Sequence, residues 1–425
     1  NRIMEVKRSI SMNLLTSLKD SPEEKARIRV VYLLLGTVFF MPLQLYIAEG
    51  LLALTVIFSL YFIYRYGIHE YKPGPLAVPI AIFTGATLIS LAGSTQAFWN
   101  TAFWFFTVFQ YVLLFMLVQV FIKTEEERLL IVHTLLASAF FVAVYGVYQY
   151  VHMWALGETE WVDTSVFPML RRRMYSTLYN PNLFSCYLLS IMSLTGAYAL
   201  WTKDRIRRFL TAALFVLLSL CLVLTYSRGA WISAAVLVFV FGLVKDKRFW
   251  FALLLVPIIL VFYHGGIAER FMSIFSHREA DTSFAMRLDM WNDALSMWAD
   301  RPFFGIGWGA FKFTYPAYNE LIQKAGITIF HCHNLFLNIL AETGLAGFAS
   351  FFAYWFGHLI FARRVLKDRG SDSLIYMLSL AMAAMVASVS VSGISDDNLF
   401  STQVSLMCWT ISALFCNTYT AYKKQ

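Results

Sequence analysis

Residues 205–245 read RIRRFLTAALFVLLSLCLVLTYSRGAWISAAVLVFVFGLVK. Two apolar runs, 209–226 and 229–244, flank Arg228 with almost no loop between them, and basic residues close both outer ends. Each run approaches the roughly 20 residues an α-helix needs to cross about 30 Å of hydrocarbon. Neither alternates in polarity at period two, as the strands of a membrane β-barrel do. The stretch predicts two transmembrane helices joined by a tight turn, and with them an all-α fold.

The same pattern recurs on both sides. Spans are expected near 30–46, 50–66, 75–92, 99–122, 129–155, 183–201, 209–226, 229–244, 249–265, 334–361, 374–394 and 399–421. The fold class is therefore an all-α polytopic membrane protein with about twelve transmembrane helices. Glu49 and Gly50 mark the expected turn between the first two spans. Composition agrees: of 425 residues, 59% are hydrophobic and 14% charged, with 39 Phe, 22 Tyr and 12 Trp, beyond what a soluble surface tolerates.

Residues 1–29 are basic and mixed, without the apolar stretch and cleavage site of a signal peptide, and are expected to form a cytoplasmic interfacial segment. The transmembrane domain then covers 30–421, with a large extracytoplasmic loop inserted at 266–333. Orientation follows from the positive-inside rule. Most Lys and Arg fall in the alternate loops on the N-terminal side, so both termini are expected in the cytoplasm of a bacterial inner membrane. The other basic residues are Arg171, Arg172, Arg173, Arg228, Arg270, Arg278, Arg287, Arg301, Lys312 and Lys324, crowded into three outer segments. The net charge of +8 is explained by this distribution, which speaks against nucleic-acid binding. Cys186, Cys221, Cys332, Cys408 and Cys416 show no CxxC spacing, so neither a zinc site nor a disulfide framework is indicated.

Within the large loop, Ser283 to Ala299 predicts an amphipathic helix ended by Arg301-Pro302. Met286, Met290, Trp291, Ala294, Met297 and Trp298 lie on its apolar side. Such a helix is expected along the outer headgroup boundary. Gly305-Ile-Gly-Trp-Gly309 then requires a turn or a close-packed crossing, and lacks the Lys-Ser/Thr ending of a phosphate-cradling loop.

Chemistry concentrates at that outer boundary. Arg228 either snorkels to headgroups or faces an anion. Arg287, at the start of the loop helix, is either a solvated charge or an anion ligand. In Phe330-His-Cys-His-Asn334, His331 and His333 are two apart and would diverge on a helix, which argues against a zinc pair. A histidine there is either hydrogen-bonded or a general base. Glu342 lies about 2.5 turns further on, deeper in the span, as a partner for backbone or a basic group. Asn180-Pro-Asn182 predicts a helix cap. Asp396-Asp397 has no further carboxylates at useful spacing for a metal.

Taken in order, Ser227-Arg-Gly, Arg287-Leu-x-Met-Trp291, Arg301-Pro-x-x-Gly-x-Gly307 and His331-x-His-Asn334 with Glu342-x-Gly344 resemble the O-antigen ligase and polymerase superfamily. The resemblance spans about residues 165 to 400. It implies a metal-independent, inverting glycosyltransferase without cofactor. Such an enzyme takes a glycan from undecaprenyl diphosphate and joins it to a sugar or glycolipid acceptor on the outer face of the membrane. It implies His333 as the general base and Arg228 and Arg287 as ligands of the diphosphate. His331, Asn334, Glu342, Asn182, Arg173 and Arg301 become supporting residues, while three arginines, Arg171 to Arg173, stand where the family pattern needs one basic residue.

The leading expectation is a ligase acting on lipid A core or another anchored sugar in cell-envelope polysaccharide synthesis. A repeat-unit polymerase would use the same residues on two lipid-linked substrates. A lipid-linked sugar flippase is the alternative of another class. Transporters place ionisable groups near the midplane in repeated halves, whereas here they cluster at the boundary.

Overall fold

The computed structural model describes residues 21–68, 73–156, 172–251, 253, 282–326, 328–367 and 372–423. Among the described residues the chain is helical, without strands. The main helices are α1 Pro22–Phe40, α2 Leu45–Tyr66, α3 Ala77–Ser90, α4 Ala97–Phe121, α5 Glu125–Leu156 and α6 Pro181–Trp201. They continue as α7 Arg205–Leu224, α8 Arg228–Val244, α9 Thr282–Asp300, α10 Leu335–Leu366, α11 Leu374–Gly393 and α12 Thr402–Tyr422. Seven of them, α2, α4 to α7, α10 and α11, are long and apolar enough to cross a membrane, and α3 and α8 are shorter apolar helices. Helices α1 to α8 and α10 to α12 each fall on an expected span. Residues 1–20, most of the 249–265 span, 157–171 with Arg171, and 266–281 of the large loop lie outside the described residues.

Two expectations need correction. The break between the first two helices is at residues 41–44, not at Glu49-Gly50, which sit inside α2. Pro42 decides this, because without an N–H it cannot continue the helical hydrogen-bond ladder past Met41, which still has helical φ −55° and ψ −39°. Its carbonyl is used instead by Thr177 Oγ1, which donates to it at 2.6 Å. Helix α9 forms where expected, but the core of its apolar stripe does not face lipid. Met290, Ala294 and Met297, spaced to share one side, are buried with Ile306, Phe311, Cys332 and Ala341. Only the ends of the stripe stay open, as at Met286, half exposed. Protein side chains thus take the place that headgroups were expected to fill.

Burial sorts the helices into an inner and an outer set. The membrane-length windows of α6 and α11 are 83% buried, against 28% for α2 and α7, whose Ile57, Tyr61, Phe209 and Val216 point outward. A helix apolar on all sides belongs inside the bundle, and α11 accordingly packs against α6, α8, α10 and α12. The turn that follows α11, residues 394–401, emerges from the middle of the molecule. Beside it, α10 is interrupted at Gly344, whose φ of +62° is non-helical. There the 302–307 segment supplies missing partners: Leu345 N–H donates to the Pro302 carbonyl at 2.8 Å and Gly307 N–H to the Glu342 carbonyl at 2.9 Å. A Cβ on Gly344 would lie 2.4 Å from the Phe303 carbonyl carbon, so only glycine permits the crossing.

Candidate active site

The segment before α10 turns rather than coils. Asn334 caps the helix, its Oδ1 accepting from the N–H groups of Phe336 and Leu337, both at 3.0 Å. One residue earlier, His333 takes a left-handed φ of +53°, rare for a residue with a Cβ and typical of constrained functional positions. This bend removes the helical divergence expected of His331 and His333. Their ring centroids lie 4.6 Å apart, and His333 N–H donates to His331 Nδ1 at 3.3 Å.

The bend also aims His333 at the turn after α11. Its Nδ1 lies 2.8 Å from Asp396 Oδ1, and Asn334 Nδ2 ties the two segments by donating to the Ile394 carbonyl at 3.0 Å. Asp397 N–H donates to the same Asp396 oxygen at 3.0 Å. His333 keeps 32% of its side chain exposed while Asp396 keeps 11%, so the imidazole is the open partner and the carboxylate the sheltered one. Burial alone would raise Asp396, but the His333 hydrogen bond and the charges of His333, His331 and Arg287 hold it below the usual carboxylate range. Burial lowers His331 to about 4, against the pull of Asp396, with His333 and Arg287 adding to the fall. Burial, with Glu342 and Asp396 nearby, pushes Asp397 well up. The two carboxyl groups of the turn are thus shifted in opposite directions, Asp396 down and Asp397 up. An ionised Asp396 can only accept, so whenever the His333 ring is neutral its Nδ1 carries the proton and Nε2 the lone pair.

Arg228 reaches the same region. It opens α8 after a turn in which Tyr226 has φ +52°, and a Cβ on Gly229 would meet Ser395 Oγ at 2.5 Å. The turn of Arg228 is therefore seated on the turn of Asp396. Arg173 braces that turn from below: its Nε donates to the Thr225 carbonyl at 2.8 Å and its Nη2 to Asn182 Oδ1 at 2.8 Å. The cap of α6 is Asn180, which accepts from Asn182 N–H at 2.8 Å. Arg172 lies over the Tyr150 ring at 5.7 Å. Arg287, partly buried on α9, acts electrostatically on both Asp396 and His331. Arg228, Arg287, His331 and His333 thus converge at one end of the bundle, with Asn334, Arg173 and Asn182 behind them.

Glu342 and Arg301 make their hydrogen bonds to the glycine-rich turn and the end of α3 rather than to the residues of this cluster. The Glu342 carboxylate, buried in α10, accepts from Gly309 N–H at 2.8 Å and Phe311 N–H at 3.1 Å, clamping the glycine-rich turn. Arg301 Nη1 donates to the Gly93 carbonyl, pinning the same turn to the end of α3. Both shape the loop that carries the site. Asp396 is the residue that sequence reasoning set aside, because it was considered only as half of a metal-binding carboxylate pair. Its partner is a histidine on another turn; the available signal was an acidic pair buried between two apolar spans.

Comparison with known proteins agrees with the motif pattern. Residues 213–352 match the family model described as O-Antigen ligase, a region that contains Arg228, Arg287, His331, His333, Asn334 and Glu342. Over 193 residues the chain is 28% identical to the ComP-specific O-oligosaccharyltransferase of Acinetobacter baylyi. That alignment covers 40% of this chain and 32% of the relative, so less than two thirds of the relative's length is spanned. The resemblance to the O-antigen ligase superfamily rests on these matches as well as on the motifs.

Proposed function

We propose that this membrane protein transfers a glycan from undecaprenyl diphosphate to an acceptor hydroxyl, with His333 as general base and the reaction on the outer face of the cytoplasmic membrane. The observation that carries the reading is the His333–Asp396 pair at 2.8 Å, placed at the bundle end that also holds Arg228 and Arg287. With Nδ1 donating to Asp396, Nε2 is free to take the proton of an acceptor hydroxyl. The acceptor oxygen then bonds to the anomeric carbon as the bond from that carbon to the diphosphate oxygen breaks, and the anomeric centre inverts. Negative charge grows on the departing diphosphate, where guanidinium groups stabilise it through paired hydrogen bonds. Asp396 acts through His333, by fixing its tautomer and direction.

The reading is tested with purified protein, a lipid-linked donor and an acceptor. His333→Ala is expected to slow transfer by about 10²- to 10⁴-fold while donor binding stays close to wild type. Asp396→Asn is expected to slow turnover less than that and to leave donor binding unchanged. Wild-type turnover in His333→Ala removes the histidine from the reaction. Product growth with donor alone identifies a polymerase, and dependence on added acceptor a ligase. The Acinetobacter baylyi relative is named for O-oligosaccharide transfer specific to ComP, which supports a second reading in which the acceptor hydroxyl belongs to a protein. Comparing sugar and protein acceptors separates the two.

A further inference from the structure

We propose that His331, His333 and Asp396 also form a binding site for a transition-metal dication such as Zn²⁺, and that its occupancy switches transfer off. The inhibitory part rests on the reading of His333 as the base. One ligand atom from each residue lies within 4.8 Å of the others, although the three come from two turns 63 residues apart in sequence. Two imidazoles and a carboxylate suit zinc and its neighbours, whose fourth ligand would be a water or hydroxyl; Mg²⁺ prefers six oxygens. Tetrahedral zinc bonds of about 2.0–2.2 Å need donor atoms roughly 3.5 Å apart, so side-chain adjustments of about an ångström close the site.

Inhibition follows from the tautomer. A neutral imidazole that gives its Nδ1 lone pair to the metal carries its proton on Nε2. Coordination from the Asp396 side therefore moves the His333 proton from Nδ1 to Nε2 and fills the lone pair that would take the acceptor's proton. Metal and acceptor then compete for one histidine, with no net proton gained or lost. Among the described residues, Arg287 is a cation whose charge acts on both His331 and Asp396, and that charge opposes a second one. Removing it should favour the metal, whereas adventitious binding at a distant histidine would not respond.

The experiment titrates chelator-treated, detergent-purified protein with Co²⁺ and follows its visible d–d absorption. The expected result is a single saturable Co²⁺ signal that Zn²⁺ displaces and Mg²⁺ does not. It should be lost in His331→Gln and in Asp396→Asn, and should appear at lower Co²⁺ in Arg287→Ala. The Zn²⁺ concentration that displaces Co²⁺ should also stop transfer, and chelator should restore it. Size-exclusion elution matching wild type identifies variants that are folded. A signal that is absent, or unchanged in the folded His331→Gln and Asp396→Asn proteins, overturns the site, as does transfer that continues with Zn²⁺ bound there. The catalytic reading fails separately: His333→Gln that transfers normally would sink the base, whatever the Co²⁺ signal does.

Discussion

A guanidinium at the end of a membrane helix is tolerated where water, headgroups or an anion face it, and the difference between these partners is measurable at single residues. Arg228 and Arg287 converge on the turn of Asp396, so each is expected to contribute about 1.5–3 kcal/mol to donor use, the range for hydrogen bonds to charged groups. Arg228→Ala and Arg287→Ala should therefore each lower donor efficiency by about ten- to a hundredfold in transfer kinetics. Lysine should restore only part, because it cannot offer two parallel N–H groups. Unchanged kinetics in both alanine variants would reject the proposed role of these arginines as ligands of a donor diphosphate. Asp293, on the inward side of α9, shows a different residue-scale effect. Burial, then the charge of Asp289, raises its pKa from 3.8, with a hydrogen bond from Asn319 opposing. The folded protein holds this proton to higher pH than the unfolded chain, so the residue costs stability increasingly as pH rises above 3.8. Asp293→Asn is expected to raise the melting temperature near neutral pH, with the gain shrinking towards pH 4. A gain that grows on acidification would contradict that sign.

At the scale of elements, the site depends on a broken helix. Helix α10 stops being regular at Gly344 so that the 302–311 segment can cross it, and the buried Glu342 carboxylate holds the crossing through two backbone N–H groups. Glu342→Ala leaves both donors buried without a partner, which costs about 1–3 kcal/mol each. Gly344→Ala adds a Cβ where φ is positive and the Phe303 backbone is 2.4 Å away, costing at least about 1–3 kcal/mol from strain alone. Both should lower the thermal unfolding midpoint, and Glu342→Gln should recover part of the loss by offering one acceptor oxygen. A Glu342→Ala protein as stable as wild type that fails to bind donor would instead place this carboxylate in substrate recognition. The Gly305-Ile-Gly-Trp-Gly309 run was legible as a turn or a close crossing, and it is both. What it crosses was not legible, because the partner is a helix that begins 26 residues later and kinks at a single glycine.

For the whole molecule, the positive-inside pattern predicts that the end bearing His333 faces outward. Because all five native cysteines are buried, single reporter cysteines give a clean readout. Leu321→Cys, exposed on the short helix Glu320–Ala325 that leads to the His333 end, should react with a membrane-impermeant maleimide in intact spheroplasts. Lys203→Cys, exposed at the opposite end, should react only after permeabilisation. The reverse pattern would invert the topology and remove the outer-face reaction. The sequence by itself determined the helical class, nearly all helix positions and the residues that carry charge, because hydrophobic length and cationic placement answer to the bilayer, a solvent that acts on each segment separately. Only the tertiary structure decided that Met290, Ala294 and Met297 pack on protein, that Pro42 rather than Gly50 breaks the first helical pair, and that Asp396 meets His333. Those outcomes depend on which helices become neighbours, and on a left-handed turn at one histidine that no local periodicity encodes.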